Sequence, residues 1–197
     1  MRAIWQGTDS YLLVSTNRLN LREKYYAYKM RIFARFVDKF ASEHYAIGDL
    51  VERNLKAFGM KKPIVQFKTP INESLRVKRN PVDDKFLVLY YIPSRSKFRE
   101  WLYGYDIYLE ARSQLRDSKV RFIVVHGKHD MKAVYRIADF MIRPNRHDGI
   151  PRMVSECQMN GIPYYWSDEN PNLHDMLVGI NIAYAEKFKE QIIQTKE

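Results

Sequence analysis

Residues 138–166 read ADFMIRPNRHDGIPRMVSECQMNGIPYYW, and this stretch decides which fold the chain can adopt. The apolar run at its start predicts a strand. A polar loop follows with Gly149 in it, Pro151 stands at the first turn of a predicted helix, and Gly161 ends that helix. IPYYW has the aromatic and β-branched content of a second strand. The stretch therefore predicts a strand, a helix and a strand with short connections.

Two further apolar runs precede this stretch, KFLVLYYI at 85–92 and VRFIVVHG at 120–127. Such runs are typical of strands that are buried on both faces. Around them we predict a loop over PSRSKFREW and helices over GYDIYLEARSQL and DMKAVYRI, and a long helix closes the chain. This alternation predicts an α/β fold: a Rossmann-like parallel sheet with helices on both faces, over residues 85–197.

Residues 1–71 predict a reduced α/β portion in front of this domain. RAIW is predicted as a strand that ends in the turn QGTDS, which Asp9 or Ser10 can cap. EHYAIG and PIVQFKTPI are predicted as strands, with the helix DLVERNLKAFG between them. Residues 72–84 are polar, lack periodicity and predict a linker between the two parts. The closing helix could pack back on the N-terminal portion.

Residues 21–40 predict an amphipathic helix with a cationic face, because aromatic and aliphatic residues recur near helical spacing with basic residues between them. Two interpretations stay open for this helix. It could rest on an anionic membrane, or its aromatic face could pack into the core. We favour packing.

The 197-residue chain has a formal net charge of +10. This charge favours an anionic partner, such as nucleic acid, a phosphorylated metabolite or an acidic membrane surface. The single cysteine, Cys157, excludes an intramolecular disulfide and suits a reducing compartment. We identify no membrane-spanning run and no signal peptide. We therefore expect a cytoplasmic protein that could also lie at the inner membrane surface.

The loop PNRHDGIP, residues 144–151, is a candidate anion site. Ligands of parallel sheets bind beyond the carboxyl ends of the strands, and PNRHDGIP lies at that edge. A helix that begins there directs unbonded backbone N–H groups and the positive end of its dipole outward. Asp148 before the helix and Glu156 within it could accept hydrogen bonds from hydroxyl groups. Because acidic residues and proline are common at ordinary helix starts, a purely structural role stays open.

The same stretch carries a resemblance to a known family. Residues 144–163 resemble the donor-binding core of GT-B glycosyltransferases, especially the retaining family four (glycosyl transferases group 1). The family pattern is a strand, Pro-Ser, and E-G-x-P or E-G-x-G. A second Glu follows with seven residues from Glu to Glu, then a small-residue helix end, G-x-P and another strand. Glu156 matches the second Glu, whereas Asp148 stands where the first Glu usually does. The order of elements over residues 43–190 is also similar.

The resemblance implies a nucleotide diphosphate sugar as co-substrate and no further cofactor. Glu156 would bind the ribose hydroxyls, and Asp148 would hold hydroxyls of the donor sugar as part of the catalytic machinery. Ahead of Pro151 in the donor-binding loop, Gly149 and Ile150 would present backbone N–H groups to the diphosphate or the sugar.

The resemblance also implies basic residues that neutralise the diphosphate after the first strand of the donor half. Arg95 and Lys97 occupy the comparable loop, with Arg99 as an alternative to Lys97. The usual Gly-Arg…Lys-Gly frame is absent, and Tyr103 precedes Gly104 where the Lys is expected. A solvated basic loop explains the same residues.

The acceptor side departs most from the family, because only about 70 residues precede the donor half. WQGTD resembles a turn in the acceptor half of family members, where Asp9 could act as a base toward an acceptor hydroxyl. Asp9 could equally do no more than cap the turn. A second copy or a partner chain could supply what is missing. The acceptor itself could be a lipid-linked glycan, a glycan or a protein.

We expect no metal site. Four of the five histidines lack the spacing of metal ligands; they are His126, His129, His147 and His174. No D-x-D carboxylate pair is present. The family-four resemblance implies a glycosyltransferase that retains the configuration at the anomeric carbon, and the missing D-x-D pair favours metal independence. A basic nucleic-acid-binding α/β module without catalysis is the alternative, motivated by the charge. A transferase that still binds its donor but no longer catalyses is a third possibility.

Overall fold

The structure is a computed structural model that describes residues 1–17, 19–94, 96–116, 118–127 and 129–194. The chain forms two compact units. Unit 1 consists of Met1–Pro70 together with the short segment His147–Arg152. Unit 2 consists of Ile71–Arg146 and the residues from Met153 onward.

Unit 1 is built on a parallel three-stranded sheet, whose strands lie side by side in chain order. The strands are β1 (Arg2–Trp5), β2 (Glu43–Ala46) and β3 (Ile64–Gln66). The helices of the unit are α1 (Gly7–Val14), α2 (Leu21–Phe40) and α3 (Asp49–Phe58). Buried residues from β1, α1, α2 and α3 form one hydrophobic cluster, which includes Trp5, Leu13, Val37 and Leu55.

The turn predicted over QGTDS is wrong, because helix α1 begins at Gly7. The main-chain N–H of Ser10 donates to the carbonyl of Gln6 at 3.0 Å, which closes the first helical turn. Tyr11, Leu12 and Leu13 follow and are all buried. Burial of these three side chains outweighs the low helix propensity of glycine at the start of the segment.

Helix α2 has the predicted bounds, but the preferred interpretation that its aromatic face packs into the core is wrong. The residues that it buries are small, namely Ala27, Ala34 and Val37. Its aromatic rings lie on the exposed part of the helix; Phe36, for example, is 59% exposed. The buried stripe follows the spacing of seven and three residues that keeps one helical face toward the core.

A buried polar chain connects three elements of unit 1. The Trp5 indole N–H donates to Nδ1 of His44 at 3.1 Å, and Nε2 of His44 lies 2.9 Å from Oδ1 of Asp38. The Asp38 carboxylate also accepts hydrogen bonds from the main-chain N–H groups of Lys61 and Lys62. Partial burial acts to raise the pKa of Asp38, but these hydrogen bonds outweigh it and lower that pKa below 3.8.

Unit 2 contains a parallel four-stranded sheet in the order β5-β4-β6-β7. The strands are β4 (Phe86–Ile92), β5 (Val120–His126), β6 (Phe140–Pro144) and β7 (Tyr164–Ser167). The helices are α4 (Lys97–Leu102), α5 (Tyr105–Gln114), α6 (Met131–Ile137), α7 (Arg152–Met159) and α8 (Leu173–Gln194). The predicted α/β fold with parallel sheets flanked by helices is confirmed.

Two elements of unit 2 differ from the prediction. Strand β5 was expected to be buried on both faces, but it is an edge strand, and Arg121 and His126 are exposed. The last five residues of the predicted loop PSRSKFREW belong to helix α4. The Ser96 side chain accepts a hydrogen bond from the N–H of Arg99 at 3.2 Å, which caps this short helix. Phe98 and Leu102 anchor it in the interior.

The residues predicted as a linker, 72–84, belong to unit 2 and are hydrogen-bonded to it. The buried Asn160 side chain accepts from the N–H of Val77 at 2.9 Å and donates to the carbonyl of Leu75 at 3.1 Å. Arg79 donates to the carbonyls of Ala138 and Gly161. These contacts hold the segment beside the ends of α6 and α7.

The closing helix α8 packs on β6, β7 and α5 of the same unit. Lys187 of this helix donates to the buried Asp139 carboxylate at 2.8 Å and to the carbonyl oxygens of Val82 and Lys85, each at 2.6 Å. The N–H of Leu87 donates to the same carboxylate. That α8 also packs on the N-terminal portion stays a prediction. Within the described ranges, no helix is long and apolar enough to cross a bilayer.

Asp38→Asn tests the buried polar chain of unit 1. Because the folded-state pKa of Asp38 is lowered, its carboxylate stabilises the fold above the unfolded-state pKa, and this contribution is lost as the pH falls through the folded-state pKa. We expect the variant to lose about 1 kcal/mol of unfolding free energy at neutral pH, allowing for partial exposure. The loss should shrink in acid. Urea unfolding at neutral and acidic pH measures it.

Glu73→Gln is the matched control, since Glu73 pairs with Arg76 at the exposed surface. We expect its stability to stay near that of the wild type at every pH. An Asp38→Asn deficit that is the same at neutral and acidic pH would contradict a stabilising carboxylate.

Candidate functional site

The strand order of unit 2 creates a crevice at one edge of its sheet. Strand β4 comes first in the chain of this unit but lies between β5 and β6. The connection after β4 leads to one side of the sheet, and β6 lies on the other side. The crevice between the carboxyl ends of such diverging strands is where open α/β sheets bind ligands. The loops that follow Ile92 and Pro144 begin at this position.

Helix α7 places Glu156 in the interior of unit 2, where the residue is only 8% exposed. The Tyr135 hydroxyl, from α6, donates to Oε2 of Glu156 at 2.5 Å. Tyr135 is fully buried, and burial together with this hydrogen bond to Glu156 raises its pKa, so the phenol remains a donor. Among the residues that the structure describes, no group donates to the other oxygen, Oε1. This oxygen can therefore accept a hydrogen bond from a ligand.

The neighbour of Glu156 on α7 is the single cysteine, Cys157, which is fully buried. Burial raises the pKa of its thiol to about 12, and the Glu156 carboxylate acts in the same direction. The thiol packs in the hydrophobic cluster of unit 2 with Leu89 and Val154. A thiol without thiolate character cannot act as a nucleophile, so Cys157 is part of the core.

Residues 147–152, which contain four of the predicted site residues, are held within unit 1. Nε2 of His147 accepts a hydrogen bond from the Asn54 side-chain amide at 2.6 Å, and this amide also donates to Oγ of Ser10 at 3.2 Å. The imidazole of His147 meets the Tyr11 ring edge to face, with the centroids 4.9 Å apart. Helices α1 and α3 thus fix the start of the loop.

Gly149 is required by the packing of this loop. A Cβ atom at Gly149 would lie 2.1 Å from the carbonyl oxygen of Ile47, a distance that no side chain can occupy. The facing residue, Gly48, has a φ of +93° and would place a Cβ 3.3 Å from the nitrogen of Ile150. Two backbones therefore approach each other directly at this point. This close approach accounts for Gly149 whether or not a ligand also touches it.

The other predicted residues of the loop differ in exposure. Pro151 is buried, Asp148 is partly exposed, and the Ile150 side chain is 44% exposed. Their order in the chain places them directly ahead of α7, whose first residue is Arg152. The backbone of this loop thus leads into the positive end of the α7 dipole.

The predicted cations after β4 are only partly described. Lys97 is exposed and is the first residue of α4. Arg99 follows two residues later in the same helix and is partly buried. Arg95 lies outside the described residues, so its predicted role stays a prediction.

Asp9 belongs to unit 1 and is the third residue of α1, where it is partly exposed. The dipole of a helix favours a carboxylate in the first turn, which is a structural reason for an acidic residue at this position. The base role and the structural role therefore both stay open for Asp9.

Sequence reasoning missed one residue at the crevice, the buried Arg143 near the end of β6. Its guanidinium carbon lies 5.1 Å from the centroid of the Tyr103 ring and 5.8 Å from that of Tyr91. An Nη atom of Arg143 also lies 3.6 Å from the sulfur of Met153 in α7. The signal was present in the sequence, because an arginine interrupts the apolar run FMIRP. A buried cation beside a ligand edge is a candidate anion-binding group.

Arg146 fixes the part of unit 2 that directly precedes the loop of residues 147–152. Its guanidinium forms a two-pronged ion pair with Asp106, at 2.8 and 2.7 Å, and donates to the carbonyl of Trp101 at 2.7 Å. The hydrogen bonds from Arg146 lower the pKa of the Asp106 carboxyl. Arg146 therefore has a structural partner and is not available as a free cation for a ligand.

No group of three or more His, Cys, Asp or Glu side chains in the described part of the chain is placed to hold a metal ion. The His147 imidazole accepts a hydrogen bond from the Asn54 side-chain amide.

No family profile and no curated protein sequence matches the chain. Solved structures do match its fold. Sucrose-phosphate synthase from Thermosynechococcus elongatus superposes with a TM-score of 0.65 at 12% identity, covering 94% of this chain and 59% of that protein. A mutant of S. aureus TarM, in complex with Fondaparinux, alpha-GlcNAc-glycerol and UDP, superposes with a TM-score of 0.60 at 10% identity. That match covers 96% of this chain and 46% of TarM.

Both of these neighbours are GT-B glycosyltransferases. The chain spans about half the length of the solved structures that it matches. At such low identity the likeness concerns the fold, and the chain has the α/β architecture of GT-B glycosyltransferases.

Proposed function

We propose that the chain is a GT-B-type glycosyltransferase that transfers a sugar from a nucleotide diphosphate sugar to an acceptor. The likeness of its fold to glycosyltransferases supports sugar transfer in general. The finer parts of the proposal concern the donor, the residues that bind it and the course of the reaction.

The observation that carries the proposal is the environment of Glu156. A buried carboxylate needs partners, and Tyr135 supplies one to Oε2 while Oε1 can accept another. A fixed carboxylate with one available oxygen suits the vicinal hydroxyls of a ribose. The residue also stands where the sequence resemblance to family four places its ribose-binding Glu. Glu156 is therefore the residue we assign to the nucleoside of the donor.

The diphosphate of the donor requires positive charge and N–H donors. The loop ahead of α7 offers the backbone N–H groups of Gly149 and Ile150 and the positive end of the helix dipole. Lys97, Arg95 and the buried Arg143 are the cations we assign to the departing diphosphate. Stabilisation of its developing charge is the electrostatic task of the reaction.

Asp148 and Asp9 complete the proposed machinery. Asp148 would hold hydroxyls of the donor sugar, and Asp9 would accept the proton of the acceptor hydroxyl. We further propose that the reaction retains the configuration of the sugar and needs no metal ion, as the family-four resemblance of residues 144–163 implies. A lipid-linked glycan, a glycan and a protein all present the hydroxyl that such a reaction needs.

Glu156→Gln tests the donor site without removing the Tyr135 hydrogen bond, because an amide oxygen can still accept it. Calorimetric titration of the wild type with UDP, GDP, ADP and dTDP identifies the base that binds best. We expect the wild type to prefer the ribonucleotide over its 2′-deoxy analogue. The variant should bind the ribonucleotide about tenfold to a hundredfold more weakly and lose that preference.

Glu110→Gln, on the exposed side of α5, is the control and should bind nucleotides as the wild type does. If no nucleotide binds, or if Glu156→Gln keeps the full preference for ribose, the donor site is wrongly assigned. If the chain binds none of the nucleotides but binds DNA with an affinity that falls as salt is added, the alternative function, a nucleic-acid-binding module, would be favoured.

Lys97→Gln tests the cation assigned to the diphosphate. We expect the affinity for a nucleoside diphosphate to fall about fivefold, because Lys97 is exposed and its charge is screened, with no change for the uncharged nucleoside. Lys132→Gln is the control, since Lys132 is also exposed in the first turn of a helix, α6. Equal losses for diphosphate and nucleoside, or equal losses in the two variants, would exclude a phosphate contact for Lys97.

A further inference from the structure

Helix α2 turns most of its surface away from the core of unit 1. The stripe that it buries is narrow and consists of small side chains: Ala27 and Ala34 are fully buried and Val37 is 5% exposed. A helix of 20 residues is about 30 Å long, so this contact leaves a long surface on the opposite side.

The exposed surface of α2 is rich in large apolar side chains. Each of them is more than half exposed; they are Leu21, Tyr25, Tyr26, Tyr28, Ile32, Phe33, Phe36 and Phe40. Leu21, Tyr25, Ile32, Phe36 and Phe40 recur at intervals of four and seven residues, which places them along one face. The Phe36 and Phe40 rings contact each other, with the centroids 4.8 Å apart. Contiguous exposed apolar surface of this kind marks an interaction site.

Basic side chains lie among these rings. The ammonium of Lys29 is 4.5 Å from the centroid of the Tyr25 ring, and that of Lys39 is 5.6 Å from the Phe40 ring. The helix has six basic residues against two acidic ones. Both acids are already engaged: Glu23 accepts from the N–H of Asn20 in the capping box, and Asp38 belongs to the buried polar chain. The exposed face is therefore cationic as well as apolar.

A cleft of about 660 Å³ borders the last two turns of this face. Four of the residues that line it are basic: Arg35, Lys39, Lys61 and Lys62. Its single acidic residue is Asp38, which the N–H groups of Lys61 and Lys62 already bind. The cleft thus offers concentrated positive charge beside the aromatic rings.

We propose that the exposed face of α2, together with this cleft, binds the surface of an anionic phospholipid bilayer. The phenylalanine rings would enter the boundary between headgroups and acyl chains, with the tyrosines at headgroup level. Lys61, Lys62 and the exposed Lys29 and Lys39 of α2 would contact the lipid phosphates. The whole surface lies within unit 1, and the inference does not depend on donor binding.

Charge complementarity selects this occupant over a second copy of the chain. Two such faces packed together would bring the basic side chains of one copy, Lys29 and Lys39 among them, against those of the other, at a cost in free energy. The cores of protein–protein interfaces are also depleted in lysine, and lysines interleave with the rings here. An anionic bilayer offers an apolar boundary region to the rings and negatively charged phosphates to the basic side chains.

Vesicle sedimentation of the full chain tests the proposal. Vesicles of phosphatidylcholine with phosphatidylglycerol are compared with vesicles of phosphatidylcholine alone. We expect the wild type to sediment with the anionic vesicles only, and less so as salt is added. Lys61→Gln with Lys62→Gln should lower the partition coefficient about tenfold to thirtyfold. Phe36→Ser with Phe40→Ser should lower it about tenfold.

Ile182→Ser and Lys132→Gln change an exposed apolar residue and an exposed cation on unit 2 and serve as controls, expected to bind within about twofold of the wild type. Because all the substituted side chains are exposed, the variants should keep the melting temperature of the wild type. No binding to anionic vesicles, or equal binding by all variants, would overturn the proposal. So would a wild-type dimer in light scattering that Phe36→Ser with Phe40→Ser dissociates, since a second copy would then cover the face.

Discussion

Strand β4 lies inside the sheet of unit 2 although it is the first strand of that unit, and the position of the proposed donor site depends on this constraint. A strand in the interior of a parallel sheet must be covered by helices on both faces, and six of the seven β4 residues are buried. The connections after β4 and β6 then have to leave on different sides. The crevice that opens between them is where the loop to α4 and the loop to α7 begin.

The sequence predicted the elements whose side chains form long, uniform patterns. Strands β4 and β6 and helix α7 were predicted correctly, because apolar runs and a proline–glycine frame mark them. Strand β5 has an apolar run like that of β4, but an apolar run does not show whether a strand lies inside a sheet or at its edge. Helices α1 and α4 are short, and tertiary burial of Leu13 and Phe98 stabilises them more than local propensity does.

Helix α2 shows how periodicity can identify a helix and still misplace its buried face. The aromatic residues predicted the buried face, yet the side chains that pack into the core are the small ones of Ala27 and Ala34. The candidate site has the same limit. Spacing singled out Glu156, but its partner Tyr135 lies 21 residues earlier in the chain. The packing of Gly149 against the Ile47 carbonyl and the burial of Arg143 likewise depend on contacts between distant segments.

The burial of Cys157 has a practical consequence for experiments on this chain. It is the only cysteine, and burial raises the pKa of its thiol to about 12, so at neutral pH almost no reactive thiolate is present or accessible. Maleimide reagents should leave the native protein unmodified. A cysteine introduced on the surface can therefore carry a single fluorophore or spin label, with Cys157 left in the core where its side chain fills space.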